Sequence, residues 1–129
     1  MSAEIAIVLM VLFVIKHFIC DFLFQTPYML ANKGTYGHNG GILHAAVHGL
    51  GTCVVIVLLF AVLAEFSFAC IVFGIVLGLL DGVIHYHIDF LKVKYSNGLT
   101  PADHDFWVLL GADQALHMIT YLILIAALL

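Results

Sequence analysis

Four apolar runs, at residues 3–24, 42–64, 68–92 and 106–129, fill most of this 129-residue chain and leave only short polar stretches between them. About 22 residues of helix rise about 33 Å at about 1.5 Å per residue, enough to cross a hydrocarbon core of about 30 Å. Inside a bilayer the backbone must satisfy its own hydrogen bonds, so each run is expected to be a transmembrane helix. Composition agrees: only 9% of residues are charged, against about a quarter in soluble domains, and the mean hydropathy is +1.18. Glu4 stands where a secretory signal would be basic, and no small-x-small cleavage pattern follows, so the first run is expected to stay in the protein.

The connections have their own signals. Thr26-Pro27 predicts a short capped helix through Asn32, closed at Gly34 and suited to the interface, and residues 34–41 predict a flexible glycine-rich loop. Residues 65–67 predict a tight turn that makes the second and third runs antiparallel neighbours. Thr100-Pro101-Ala102-Asp103 predicts a helix start with Thr100 as its cap. Gly74, Gly78 and Gly82 form a small-residue ridge that invites close helix packing and offers a surface for a second copy of the chain. The odd set of Cys20, Cys53 and Cys70 lies in apolar runs and predicts small packing residues, not a disulfide framework.

Within the apolar runs a polar pattern occurs twice. His17-Phe18-Ile19-Cys20-Asp21-Phe22-Leu23 matches His85-Tyr86-His87-Ile88-Asp89-Phe90-Leu91, and His44-x-x-x-His48 aligns with Asp113-x-x-x-His117. Duplication is the simplest explanation. The expected fold is therefore a single all-α integral membrane domain, residues 1–129, with four transmembrane helices. They would form two parallel two-helix repeats, 3–64 and 68–129, related by a pseudo-twofold along the membrane normal.

Residues four apart share a helix face, so each helix presents a pair of metal-capable side chains at a similar depth. Inward carboxylates and histidines in a four-helix bundle are a common way to hold two metal ions. The expected ligands are His17, Asp21, His44 and His48 in one set and His85, Asp89, Asp113 and His117 in the other. Imidazole with carboxylate suits two divalent transition ions, Zn, Mn, Fe or Ni. Asp81 is expected to orient His85 or to act as a base, Gln25 and Gln114 to support the ligands or face a substrate, and Lys92 to reach headgroups or an anionic substrate. These four form the candidate catalytic set. His87 points away from His85, and His38 and His104 belong to loops. Lys16 is expected to snorkel to the interface, where Trp107 and Tyr95 read as anchors. All four lysines lie toward one face, which the positive-inside rule puts in the cytoplasm, with both termini outside. With no arginine and a net charge of −4, the chain is not expected to bind nucleic acid.

His17-x-x-x-Asp21-Phe22-x-x-Gln25, His44-x-x-x-His48, His85-x-x-x-Asp89-x-x-Lys92 and Asp113-Gln114-x-x-His117 together resemble a family of small bacterial and phage membrane proteins catalogued as a domain of unknown function. The resemblance implies this architecture in a bacterial inner membrane, and no activity. More loosely, the chain looks like membrane-bound metal-dependent hydrolases with intramembrane histidines. The expected function is a hydrolase acting on a membrane lipid or lipid-linked phosphoester from the cytoplasmic leaflet, with two metals activating water. The alternatives are a carrier or channel for divalent cations or protons and a bis-histidine haem protein. Val54 and the residues after it, like those after Met118, carry few polar groups, so the site is expected to be closed toward the far side.

Overall fold

Runs of apolar residues without an internal proline fold here into four helices, each long and apolar enough to cross a membrane. The structure, a computed structural model, describes residues 2–63 and 66–128. The expected turn at residues 65–67 and the chain end at Leu129 therefore fall partly or wholly outside the described residues. Helix α1 covers Ala3–Phe18 and runs on through a π-helical turn at Ile19–Leu23. The short α2, Pro27–Asn32, precedes α3 (Asn39–Val62), α4 (Phe68–Tyr95) and α5 (His104–Ala126).

The cap at α2 is the one expected: Thr26 Oγ1 accepts from the Met29 N–H at 3.3 Å, and Pro27 fills the first turn. Two boundaries differ. Helix α3 starts at Asn39, inside the stretch expected to be loop, because the His38 ring accepts from the Gly40 N–H and caps it. At the other end Thr100 is no helix cap. Its N–H and hydroxyl both donate to Asp103, closing a turn and holding that carboxyl below its usual range, and α5 begins one residue later.

Helix α3 packs on α1 and α4, and α5 packs on α4 and α1, while the diagonal pairs α1/α4 and α3/α5 make no close backbone approach among the described residues. The bundle is thus a square with ring order α1, α3, α4, α5. One end of it is filled by Leu9, Phe13, Ile56, Leu59, Leu77, Tyr121, Leu124 and Ile125. The outer faces carry exposed large apolar side chains such as Ile7, Leu50, Leu79 and Leu122, as a surface solvated by lipid requires.

The glycine ridge packs within the chain, against α3. A Cβ at Gly78 would lie 2.5 Å from the Gly49 carbonyl oxygen, and one at Gly49 would lie 2.5 Å from that of Gly78. Gly74 and Gly82 similarly meet the α3 backbone at Cys53 and Ala45. Lipid gives no hydrophobic drive for two helices to associate, so this backbone-to-backbone approach is what holds α3 to α4. Gly78→Val must separate the helices, and it is expected to cost about 1–3 kcal/mol in detergent unfolding. Gly111→Ala, at a position with open space, is the control and should be neutral or stabilising.

Candidate metal centre

Four-residue spacing continues on each helix beyond the expected ligands. The faces turned to the bundle axis carry Phe13, His17 and Asp21 on α1 and its π turn; His44, His48 and Thr52 on α3; Asp81, His85 and Asp89 on α4; and Asp113, His117 and Tyr121 on α5. All eight expected ligands come together in one cluster. Seven are buried, and Asp21, whose side chain is 13% exposed, is the most open.

Asp21 lies in the π turn, whose widened ladder has the Phe24 N–H donating to the Ile19 carbonyl. Asp21 Oδ2 stands 3.0 Å from His17 Nε2 on the same helix, and Oδ1 stands 3.2 Å from His44 Nε2 and 3.1 Å from His48 Nε2 on α3. Asp89 lies at the other side of the cluster, with Oδ2 at 3.1 Å from His44 Nε2 and 3.5 Å from His85 Nε2, and Oδ1 at 3.8 Å from His117 Nε2. Asp113 Oδ1 is 3.5 Å from the same His117 nitrogen.

These separations have a chemical meaning. Two ligand atoms about 2.0–2.1 Å from one ion at a tetrahedral angle stand about 3.4 Å apart, close to what is seen here. The crowding at His44 is the strongest sign. Its Nε2 lies within 3.1–3.2 Å of Asp21 Oδ1, Asp89 Oδ2 and His85 Nε2, yet one ring nitrogen has a single proton or a single lone pair to offer. Two carboxylate oxygens and a second ring nitrogen around one such atom exceed what it can bond, and a cation among them would relieve the crowding. Elsewhere in the cluster His17 Nε2 and His117 Nε2, though close to carboxylates, are off the hydrogen-bonding direction and have no hydrogen-bond partner. The donor set therefore fits divalent transition ions.

The grouping differs from the one expected. Three sets of ligand atoms converge: Asp21, His44, His48 and His85; His17, His85 and His117; and Asp89, Asp113 and His117. The halves of the sequence do not each keep their own four. His85 joins the α3 histidines and His17 joins His117, because the square also sets α3 beside α4 and α1 beside α5, helices from different halves.

Outer partners hold several ligands. His17 Nδ1 is 2.8 Å from the Tyr121 hydroxyl, which fixes the ring while Nε2 faces Asp21. Gln114 donates to Asp113 Oδ2 at 3.0 Å, and Gln25 donates to the Asp21 carbonyl, so both amides support ligand residues. Asp81 does not orient His85. Its Oδ2 accepts from Lys16 Nζ at 2.9 Å and Thr52 Oγ1 at 2.6 Å, one turn below the histidine. Lys16 correspondingly does not snorkel: it is buried, its stem passes where Gly51 has no side chain, and its ammonium also lies 4.6 Å from the Tyr121 ring centre. A buried carboxylate demanded a counter-charge, and the nearest lysine turned inward to supply it. Lys92 stays outside the cluster beside Phe106, 5.9 Å from its ring centre. The lysine that meets a ligand carboxylate is Lys33, with Nζ 3.2 Å from Asp89 Oδ2.

The chain belongs to the family described as "Protein of unknown function (DUF3307)", whose model matches residues 8–129. No curated protein and no solved structure matches it.

Because Lys16 and Asp81 neutralise each other in a dry site, removing one strands the other. Lys16→Met is expected to cost about 3–5 kcal/mol in detergent unfolding, and Lys16→Met with Asp81→Leu should recover much of that loss. A double variant no better than the single one would mean the pair is not coupled as described.

Proposed function

We propose that the protein is a membrane-embedded, metal-dependent hydrolase that cleaves a lipid or lipid-linked phosphoester from the cytoplasmic leaflet of a bacterial inner membrane. The observation that carries the reading is the convergence of eight ligand side chains in three overlapping sets at ion-ligand spacing, with His44 Nε2 the most crowded atom. Two ions, drawn from Zn, Mn, Fe or Ni, would polarise the scissile group and lower the pKa of a water. Asp89 stands between the set around His44 and the set around His117 and can serve both, since one oxygen faces His44 and His85 while the other faces His117. Gln25 keeps its Oε1 buried and unpartnered, ready to accept from a water or a substrate hydroxyl.

Charge supports an anionic substrate. Asp21, Asp89 and Asp113 with Lys33 leave the centre at −2 with neutral imidazoles, and two divalent ions turn it to +2. A phosphoryl group balances that.

Shape supports a lipid. An apolar groove of about 590 Å³ opens between α3 and α4, floored by Ala45, Gly49, Gly78 and Gly82, with Tyr86 and His87 at one end. From Ile42 to Cys53 it follows α3 for about 16 Å, about half of a hydrocarbon core and so the depth of one leaflet. The same intramembrane histidines and aspartates would suit cation or proton transport. Against a path through the bundle stands the apolar core around Leu9, Ile56 and Leu124. Against haem stand the ring stacks, with His48 and His85 at 3.5 Å and His85 and His117 at 4.1 Å between centres, which leave no slot for a porphyrin.

Lysine placement supports the orientation, though Lys16, being buried, drops out of the argument and leaves Lys33, Lys92 and Lys94. The test uses vesicles carrying the protein, supplied with metal and a panel of phospholipids and polyprenyl phosphates. Inside-out vesicles are expected to release product faster than right-side-out ones, and Asp89→Asn should lower the rate by about 100-fold or more. Metal or proton flux lost in Asp89→Asn, with no turnover of any lipid, would replace hydrolysis by transport.

A further inference from the structure

Lys33 is the lysine whose ammonium meets a ligand carboxylate, and its backbone is placed to put it there. Gly40 and Gly41 begin α3 without side chains. A Cβ at Gly40 would press on Asn32 and the Tyr28 carbonyl at 2.8 and 2.9 Å, and one at Gly41 would come within 3.2 Å of the Lys33 Cα. The C-terminal end of α2 therefore lies directly on the first turn of α3. Beyond it, a side chain at Gly34 would collide with Val93, and the Gly37 N–H donates to the Tyr86 hydroxyl, so the strap after α2 is fastened to α4. Between these two anchorages Lys33 extends inward, its side chain 11% exposed, to Asp89 Oδ2.

That oxygen is also the one facing His44 and His85. A divalent ion held there and the Lys33 ammonium would compete for the same carboxylate oxygen, and like charges so close repel. We propose that Lys33 is the anion-contacting residue of the centre, released from Asp89 when metal binds and then paired with a phosphoryl oxygen of the substrate. This rests on the hydrolase reading above and adds the substrate contact that Lys92, outside the cluster, does not make. A lysine suits the task, since its flexible stem carries three rotatable donors and can change partners without moving the backbone.

Phosphate could reach the site from water or on a lipid, and the experiment separates the two. Wild type, Lys33→Gln and Lys33→Arg are loaded with Mn2+ in phosphatidylcholine nanodiscs, and metal content is measured first. Broadening of the 31P resonance then gives the affinity for inorganic phosphate in one arm and for admixed phosphatidic acid in the other. In whichever arm the wild type binds, Lys33→Gln is expected to weaken affinity by about tenfold or more at unchanged metal content, and Lys33→Arg to stay within about threefold. Equal loss in both variants, loss in neither, or no phosphate broadening with Mn2+ bound overturns the role of Lys33 and leaves the metal centre standing. Wild type that takes up no Mn2+ fails the metal reading itself, and this proposal with it.

Discussion

Everything in this protein answers to one constraint: three carboxylates and five imidazoles share a small space inside segments built to lie in hydrocarbon. A charged side chain at membrane depth costs about 2.5–3.5 kcal/mol on insertion scales when it stands alone. Hydrogen bonds among the eight offset only part of that, because His44 Nε2 has three close neighbours and the valence to satisfy one. Cations placed among the ligand atoms would turn the same crowding into coordination. The buried Lys16–Asp81 pair, one turn deeper, shows the same economy at smaller scale: a carboxylate in the bundle is matched by an ammonium drawn inward and by the Thr52 hydroxyl.

The helices are shaped to meet that demand. At the π turn of Ile19–Leu23, Asp21 faces both α1 and α3 through its two oxygens, as Asp89 on α4 faces α3 and α5. Gly49 against Gly78 brings α3 and α4 to backbone contact, and that closeness is what places His44 within 3.2 Å of His85. Tyr121 joins the apolar core to the cluster, stacking on Phe13 at 5.1 Å while its hydroxyl meets His17. Stability of the core and orientation of a ligand thus depend on one side chain.

Much of this was legible in the sequence. The four spans, the Thr26-Pro27 cap and all eight clustered residues follow from hydropathy, capping chemistry and four-residue spacing. Thr52 and Tyr121 were within reach as well, since each continues the series on its helix by one more turn. What could not be read was the partnering across helices. Spacing along one helix says that His17 and Asp21 share a face, but the ring order of the square decides that His85 meets the α3 histidines. Lys16 looked like an interfacial lysine because its position near a helix end fits snorkelling; only Gly51 and Asp81, far away in sequence, make an inward path and a reason to take it. Lys33 was hidden for a similar reason. Its reach depends on Gly40 and Gly41 letting α2 lie close against α3, and those glycines had read as loop.

The central claim is that cations belong among these ligand atoms. Elemental analysis of the wild-type protein, purified in detergent without chelator and with no added metal, tests it most directly. The account predicts a divalent transition metal at close to two equivalents per chain, removed by chelator and restored on adding the same ion back. Protein that retains its helical spectrum but carries no metal, and takes up none when Zn, Mn, Fe and Ni are offered in turn, would contradict it.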